Sequence, residues 1–524
     1  MASIEPFIPQ NVTSSMKNPF LNRVSLNRLT MYQRMQIYLM SVTIAPIRFV
    51  LFLSTFFMTW FFSYCFTINF TIKDQPGPIR AFLFRFLRVL ARLTLAFMGF
   101  QYVEVIGKRV TTEEAPILVY APHSSFMDGV VFFLSSPIPS PVSRLENYHM
   151  PFLHTLLKVV QPIFVSREDP DSRQATIKEV QLRTSNAHAQ IGIFPEGTCT
   201  NRSALITFKC GAFIPGVPIQ PVCVEYFPAF DCVSWVEDGP GGLELLWLGL
   251  CQINIKTRVN YLPIYTPSKQ EKEDPRLFAD NVREVMATAM KIPVVDFSFE
   301  DGKLMRIAKK YNLPQFLGLI SFRNFNHRFG LTMDHAVSMM TDYSKKLYKS
   351  GRYQMNINEF ADCQQIALSS SLRETFDICN TDGSGTIIFR EYVMIYMLIS
   401  LPGMDDETLK TVFKCFNTDN SGNAVMKDFY EMLDSSLTGY LNLDKLHHKL
   451  SASLPGSALT YDNFHKFSVQ NPQLINLLRW CSAFSEAFPS YTDVNGNEKT
   501  AVHSTESTDS LKHRNVPNDI LITN

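Results

Sequence analysis

The chain has 524 residues, 46% of them hydrophobic and 12% aromatic, so it is long enough for roughly two to four domains with sizeable cores. Its formal net charge of +1 excludes a general electrostatic attraction to nucleic acid, and we expect no nucleic-acid partner. The ten cysteines form no CxxC pair and no repeated spacing, which favours reduced thiols on the cytosolic side over a disulfide framework or a zinc site.

The N-terminal region contains a long apolar run. Residues 1–40 are polar and mixed, and we interpret them as a poorly ordered leader. The uncharged run from Phe49 to Phe70 has about the 20 residues that a helix needs to cross a bilayer; a buried core helix is the alternative. Because basic residues are equally frequent on both sides, orientation stays open, as does a re-entrant hairpin around Pro46.

A second helical pattern follows this run. Arg85, Arg88 and Arg92 are spaced i, i+3 and i+7 among apolar residues, which predicts a helix lying in the membrane surface with its arginines at phosphate level. An ordinary amphipathic helix is the alternative. We therefore assign residues 41–100 to a transmembrane or re-entrant segment with an interfacial helix, and expect membrane lipids as partners.

Residues 101–298 alternate short apolar strands with helical patterns. The strands are "APILVY", "QPIFVS", "AQIGIF", "VPIQPVCVEY" and "INIKTRVNYLPIY". This rhythm predicts an α/β sheet domain. Sites in such sheets form beyond the carboxyl ends of strands. The polar residues at these strand ends are His123 and Asp128, Arg167, and the turn Glu196, Gly197 and Thr198.

The pair His123 and Asp128 has the residue types of a general base with an orienting acid. In a continuous helix, five residues would leave the two side chains roughly 140° apart, so they would not meet. They meet if His123 lies in the turn and Asp128 in the first helical turn. Asp128 would then fix the imidazole tautomer and leave the other ring nitrogen as base. Taken alone, an H-x4-D pattern is a weak signal, and a merely polar turn stays open.

Four sequence blocks that occur in this order make the catalytic interpretation of His123 and Asp128 stronger than the single pattern does. They are "HSSFMD", "FVSR", "FPEGT" and "VPIQPV". Together they resemble the glycerolipid acyltransferase family, and within it the lysophosphatidylcholine acyltransferases of the type 2 branch (2B form included), which carry an EF-hand tail. The resemblance covers about residues 40 to 470. One departure is Pro122, where many family members have Asn. It agrees with the lysophosphatidylcholine branch and weakens lysophosphatidic acid as the acceptor.

The resemblance implies a membrane-bound enzyme that moves an acyl or acetyl group from its co-substrate acyl-CoA to the free hydroxyl of a lysophospholipid. Lysophosphatidylcholine and lyso-platelet-activating factor are the expected acceptors. His123 would deprotonate the hydroxyl and Asp128 would orient the imidazole, without a covalent intermediate. Two alternatives stay open: an acyltransferase for glycerol 3-phosphate or lysophosphatidic acid, and a non-catalytic, calcium-responsive membrane adaptor.

The resemblance also implies residues for substrate binding. Arg167, Glu196 and Gly197 would hold the glycerol-phosphate part of the acceptor, and Thr198 belongs to the same turn. Further candidates are Lys209 for phosphate and Pro221, whose strand would shape the acyl or CoA site. We interpret Cys199 as a packed thiol.

Residues 299–480 are wholly helical in pattern and contain two loops with EF-hand spacing. The candidate ligands of the first loop are Asn380, Asp382, Ser384, Thr386 and Glu391. Those of the second are Asn417, Asp419, Ser421, Asn423 and Asp428. The segments "YQMNINEFAD" and "SALTYDNFHKF" look like degenerate flanking hands. An all-α EF-hand domain is therefore expected after the α/β acyltransferase domain, with residues 481–524 as a disordered tail.

Calcium binding is a separate question, because ligand charge sets affinity. Both loops begin with Asn, and the second has Asp428 where a bidentate Glu usually closes the site. We therefore expect weakened calcium binding in the first loop and poor binding in the second; a scaffold without calcium is the alternative. If calcium is sensed, the tail and the catalytic part face the cytosol. The resemblance implies the endoplasmic reticulum membrane, with Golgi or lipid droplets as alternatives.

Overall fold

The computed structural model describes residues 18–22, 24, 29–67, 78–134, 138–166, 170–185, 189–236, 239–348, 351–416, 423–437, 439–454 and 458–481. The chain divides into two compact units. The first comprises Met1–Asn324, Met333–Gln354 and Ile388–Arg390, and the second comprises Phe325–Thr332, Met355–Ile387 and Glu391–Asn524.

Three helices open the first unit: α1 (Met31–Val42), α2 (Ile44–Thr67) and α3 (Pro78–Phe97). Helix α2 is, among the described residues, the one helix long and apolar enough to cross a membrane. Only 17% of its most apolar window is buried, so it is no ordinary core helix. It packs against α3 through Phe62 and Phe86, whose ring centroids are 5.0 Å apart.

Two details of this region differ from the sequence expectations. Helix α1 lies largely inside the segment interpreted as a leader, and a capping box between Thr30 and Gln33 fixes its start. The guanidinium of Arg92 donates to the carbonyl oxygens of Phe100 and Gln101, at 2.6 and 2.8 Å. Arg92 therefore ties α3 to the chain that follows it, a contact that the sequence did not predict, whereas Arg85 is exposed.

The core of the first unit is a seven-stranded sheet, as the α/β pattern predicts. Its strands are β1 (Val103–Ile106), β2 (Ile117–Ala121), β3 (Ser140–Arg144), β4 (Ile163–Val165), β5 (Ile191–Ile193), β6 (Ile219–Phe227) and β7 (Lys256–Tyr261). Their order is β1-β7-β6-β2-β5-β3-β4. All neighbours are parallel except β6 and β7. The sequence pattern did not predict β1 and β3.

Strand β2 is the central strand and is buried along its whole length, which explains its unbroken apolar sequence. Alternate residues face opposite cores. Leu118 packs in the cluster that includes Leu245, and Val119 packs in the cluster that includes Phe278. Because β2 runs parallel to both β5 and β6, the turns that leave β2 and β5 emerge at the same edge of the sheet.

Further helices of the first unit cover the sheet. A 3-10 helix, Phe126–Leu134, follows β2. The α-helices up to residue 310 are α4 (Glu146–His149), α5 (Leu153–Val160), α6 (Pro170–Ser185), α7 (Gly242–Leu250), α8 (Lys269–Glu273), α9 (Pro275–Met290) and α10 (Phe299–Lys310). Short 3-10 helices occur at Cys210–Ala212 and Gln315–Gly318. Leu245 of α7 and Phe278 of α9 belong to different cores, so helices line both faces of the sheet.

The remaining described chain is helical, as expected. Its helices are α11 (Phe322–Phe329), α12 (Met333–Tyr348), α13 (Ile357–Gln364), α14 (Ser370–Cys379), α15 (Phe389–Ser400), α16 (Asp406–Phe416), α17 (Met426–Leu437), α18 (Leu443–Ser453), α19 (Tyr461–Gln470) and α20 (Pro472–Ile475), followed by a 3-10 helix, Asn476–Trp480. The two predicted loops thus lie between α14 and α15 and between α16 and α17.

Each of these loops pairs with a flanking segment through a short antiparallel ladder. In the first, β8 (Met355–Asn356) pairs with β9 (Thr386–Ile387). In the second, β10 (Asn423–Val425) pairs with β11 (Ala458–Thr460). The partner strands lie in the two segments interpreted as degenerate hands. In the described residues, the two loops therefore pair with these flanking segments and not with each other.

Candidate active site

The turn that leaves β2 brings His123 and Asp128 together. His123 lies in the turn and Asp128 in the first turn of the 3-10 helix Phe126–Leu134. The imidazole Nδ1 is 2.8 Å from the carboxylate Oδ2. This is the geometry that the spacing allows only when a helix begins between the two residues. Asp128 therefore holds one ring nitrogen and leaves Nε2 for other partners.

The carboxylate of Asp128 is fully buried, and both its oxygens are hydrogen-bonded. Oδ2 accepts from the backbone amides of Ser124 and Ser125, the latter at 3.0 Å. Oδ1 accepts from the hydroxyl of Tyr226 on β6 at 2.7 Å. Burial and the adjacent Asp128 charge raise the pKa of Tyr226 well above its usual value, so this phenol stays a donor. Asp128 is thus fixed in position before any substrate binds.

Tyr226 is a site residue that sequence reasoning missed. Its ring packs edge-on against Phe100, at 5.8 Å between centroids. The guanidinium of Arg202 lies 6.0 Å from the ring centroid and pairs with Asp231 at 3.2 Å. The only available signal was the alternation of β6, which places Tyr226 on the same face as Val222 and Val224.

Glu196 supports the site from the neighbouring turn, after β5. Its buried carboxylate accepts from the backbone amide of His123 at 2.6 Å and from that of Ile206 at 3.2 Å. Burial raises the pKa of Glu196 to about 7, although these two hydrogen bonds lower it. Glu196 therefore joins two loops through their backbones. The expected contact of Glu196 with the acceptor stays a prediction, and Arg167 lies outside the described residues.

The imidazole of His123 is held on its other sides as well. It stacks on Phe194, with ring centroids 4.6 Å apart and an interplanar angle of 26°. The carbonyl oxygen of His123 accepts from the amide of Thr200 at 2.8 Å. The side chain remains 23% exposed, so solvent or a substrate can reach the ring.

The partly buried Cys199 lies close enough to interact electrostatically with the same imidazole. Burial disfavours the charged ring, but Cys199 and Asp128 outweigh burial and raise the pKa of His123 well above its usual value. Position 199 had no recognisable signal because the contact depends on how the turn after β5 folds over the turn after β2.

The other predicted binding residues are placed at different distances from this pair. Gly197 has a φ of +64°, and a Cβ on it would lie 3.0 Å from Cε of Lys209. The half-buried Thr198 follows, and the exposed ammonium of Lys209 also lies 5.5 Å from the ring centroid of Phe299. Gly197, Thr198 and Lys209 therefore form one cluster beside Glu196.

Pro221 is not part of that cluster. It is buried within β6 in register with Val119, two residues before the end of β2. Pro221 therefore belongs to the body of the sheet, whereas the polar residues of the site lie in the turns beyond the strand ends.

The first loop of the helical region brings its predicted ligands together only in part. The side-chain amide of Asn380 is fully buried and has no hydrogen-bond partner among the described residues. Oδ1 of Asp382 accepts from the amide of Ser384 at 2.9 Å, and the Ser384 hydroxyl lies 3.0 Å from that of Thr386. The carboxylate of Glu391 accepts from the amide and hydroxyl of Thr381, the amide at 2.9 Å.

Most of the second loop falls outside the part of the chain that the structure describes. Asn417, Asp419 and Ser421 lie outside the described residues. Asn423 lies in β10 and Asp428 in α17, but their side chains are not described. Within the described parts of the chain, no group of three or more His, Cys, Asp or Glu side chains is arranged to hold a metal ion.

Comparisons with known proteins agree on one family. Residues 102–225 match the family model described as Acyltransferase. Lysophosphatidylcholine acyltransferase 2 of Danio rerio is 37% identical over 468 residues, which cover 88% of this chain and 87% of that protein. The protein of the same name from Homo sapiens is 36% identical, covering 92% and 90%. Lysophosphatidylcholine acyltransferase 1 of Homo sapiens is 34% identical, covering 87% and 85%.

Proposed function

The chain belongs to the lysophosphatidylcholine acyltransferase family and is an acyltransferase, and we propose that His123 is its general base. The reaction is acyl transfer from acyl-CoA to the free hydroxyl of a lysophospholipid, with lysophosphatidylcholine or its alkyl analogue as the acceptor. The observation that carries the proposal is the 2.8 Å hydrogen bond between His123 Nδ1 and an Asp128 carboxylate whose remaining acceptor positions are already occupied.

The proposed mechanism is a single displacement. Asp128 accepts a hydrogen bond from Nδ1–H, which keeps that proton on Nδ1 and leaves Nε2 unprotonated, so Nε2 takes the proton of the acceptor hydroxyl. The oxygen attacks the thioester carbonyl, a C–O bond forms, and the C–S bond breaks. The imidazolium then returns its proton to the CoA thiolate. Positioned general-base catalysis of this kind contributes about 10²–10⁴-fold in rate.

Two residues are proposed to position this base. Tyr226 holds Asp128 Oδ1, and Glu196 holds the backbone amide of His123, so carboxylate and imidazole are fixed from opposite sides. Because a positioned base must stay within hydrogen-bonding distance of the hydroxyl it deprotonates, such contacts bear on rate and not only on stability.

The acceptor phosphate is proposed to bind beside Gly197. Lys209 supplies an exposed ammonium across this glycine, and the absence of a side chain at Gly197 lets a ligand approach the backbone. Thr198 offers a hydroxyl at the same place. Arg167 remains a proposed phosphate ligand on the family resemblance alone, and Pro221 acts through the shape of β6.

We propose that the protein is membrane-bound in the endoplasmic reticulum, or in the Golgi or on lipid droplets, with both units on the cytosolic side. Support comes from the length, apolar composition and exposure of α2. The proposed topology is either a single span or a re-entrant hairpin around Pro46.

For the first loop of the helical region we propose an EF-hand that binds calcium. The residues fit the ion: the buried amide of Asn380 has no hydrogen-bond partner among the described residues, and oxygen atoms of Asp382, Ser384 and Thr386 follow at the usual spacing. Glu391 is turned towards Thr381 and would exchange these donors for the ion. Bound calcium would supply a positive charge that orders the loop. The second loop remains a weak candidate.

The test is an acyl-CoA:lysophospholipid assay on membranes that contain the full chain. Acceptors are lysophosphatidylcholine, alkyl-lysophosphatidylcholine and lysophosphatidic acid, and each is run with wild type, His123→Ala and the exposed His149→Ala as a matched control. We expect choline acceptors to be acylated by wild type and by His149→Ala but not by His123→Ala. Preference for lysophosphatidic acid would overturn the acceptor, and full activity of His123→Ala would overturn the base.

A further inference from the structure

Helix α1 carries a stripe of large apolar side chains that the established activity does not explain. Six of them are between 60% and 81% exposed. The stripe consists of Met31, Tyr32, Met35, Tyr38, Leu39 and Val42. At about 100° per residue, these positions fall within an arc of about 120° on one face of the helix. An exposed apolar face of this size marks an interaction surface.

The opposite face of α1 is fixed to the first unit, so the stripe cannot turn inward. Gln33 donates to the carbonyl of Ala229 at 2.7 Å, and the buried Gln36 donates to that of Cys251 at 3.2 Å. Ser41 accepts from the indole of Trp247 at 3.0 Å. Gln33 lies about 160° from the centre of the stripe, and Gln36 and Ser41 lie about 100° and 120° from it on either side, so these hydrogen bonds define the rotation of the helix about its axis.

The stripe continues into the apolar surface of α2. Only Thr43 separates the two helices, and Ile44, Ile47 and Val50 of α2 are 44%, 62% and 62% exposed. Helix α1 itself contains no acidic residue, and its one charged side chain, Arg34, is exposed. By the 100° rule Arg34 falls at the edge of the stripe, where a cation can meet lipid phosphate.

We propose that the stripe of α1 docks on the membrane surface, with its side chains among the acyl chains next to the head groups. The occupant is lipid, because the stripe is continuous with the apolar surface of α2 and carries two tyrosines, whose apolar rings and polar hydroxyls suit the interface. This inference rests on the membrane binding proposed above. It adds a second lipid-binding element, which fixes how the first unit is oriented on the bilayer.

The experiment places an environment-sensitive fluorescent amino acid at Leu39 of the full chain in phosphatidylcholine nanodiscs. The matched control carries it at Gln181, an exposed position on α6. The proposal expects emission at Leu39 to move to shorter wavelength on reconstitution and to be quenched when brominated phosphatidylcholine replaces the ordinary lipid. Gln181 should show neither change. Identical behaviour of the two positions overturns the proposal.

A second arm tests the competing occupant, a second copy of the chain. A photo-crosslinking amino acid at Met35 should label lipid; crosslinking to a second copy instead overturns the proposal. Acyl transfer is measured in the same nanodiscs. An active enzyme whose Leu39 probe stays in water would contradict the docking of the stripe on the membrane and leave the proposed function standing. An inactive enzyme with a quenched probe would support the docking and contradict the proposed function.

Discussion

Two polar regions of this protein, the His123 turn and the loop between α14 and α15, are built in opposite ways. In the first, the buried carboxylate of Asp128 already receives a hydrogen bond on each oxygen. In the second, the buried amide of Asn380 has no partner among the described residues. A buried polar group without a partner is costly, so the first loop fits the calcium ion proposed for it, whereas the polar groups of the His123 turn are already satisfied.

The largest expected effect breaks the orientation of the base. In Asp128→Asn an amide replaces the carboxylate, and its NH2 group favours the imidazole tautomer with the proton on Nε2. We expect kcat to fall by about 10²–10⁴-fold with acyl-CoA binding retained. Initial rates and binding of a CoA analogue measure the two quantities. Near-normal kcat would show that the pair is structural.

The next effect removes one support of that carboxylate. Tyr226→Phe deletes the 2.7 Å hydrogen bond to Oδ1, so the negative charge of Asp128 is stabilised by one donor fewer. A hydrogen bond to a charged group is worth about 1.5–3 kcal/mol, so we expect a loss of tenfold or more in kcat/KM. The imidazolium becomes more favourable, and the acidic limb of the pH profile should move to higher pH.

The matched control for this change is Tyr265→Phe. Tyr265 also donates to a carboxylate, that of Glu271 at 2.6 Å, but outside the catalytic turn. If both variants lose activity equally with unshifted pH profiles, Tyr226 acts only through stability and the positioning role is wrong.

A smaller effect is expected from Cys199, whose thiol lies near the imidazole of His123. Cys199 contributes to the raised pKa of His123, and the base works only when it is neutral, so activity should rise with pH through that raised pKa. Cys199→Ala should therefore lower the pKa and move the acidic limb to lower pH, with little change on the alkaline side. The pH dependence of kcat/KM measures this, with Cys210→Ala as the control. An unmoved limb would remove Cys199 from the account.

The smallest effect on activity is expected from the loop. Saturating calcium should stabilise the full chain by up to about 2.7 kcal/mol at one hundred times Kd. Glu391→Gln should abolish the corresponding rise in Tm, while Asp428→Asn in the second loop should leave it unchanged. An equal change in Tm on adding calcium for wild type and both variants would show that the first loop, with the Asn380 amide, is not the calcium site.

The sequence was sufficient where the signal was local. The apolar runs placed five of the seven strands. The spacing of His123 and Asp128 showed that the two side chains can meet only if a helix begins between them. The sequence pattern missed β1 and β3 because β1 (Val103–Ile106) has no buried residue and β3 (Ser140–Arg144) has Val142 as its one aliphatic residue, so neither forms a continuous apolar run.

What the sequence could not supply were contacts between distant segments. Tyr226 reaches Asp128 from β6, 98 residues further along the chain. The carboxylate of Glu196 holds two backbone amides, a role that depends on how two turns fold against each other. The exposure of the α1 stripe could not be predicted for a related reason. Gln33 and Gln36 suggest an unstructured polar segment from the sequence alone, and only their hydrogen bonds to Ala229 and Cys251 show which face of α1 is turned outward.

The most direct test of the central claim is single-turnover acyl transfer by His123→Gln, in membranes with saturating acyl-CoA and lysophosphatidylcholine. Glutamine keeps a hydrogen-bonding side chain at this position but cannot accept the hydroxyl proton at neutral pH. The account predicts that acyl-CoA still binds and that CoA release from the first turnover is slower than wild type by about 10²–10⁴-fold. A first turnover at the wild-type rate would contradict it and place the base elsewhere.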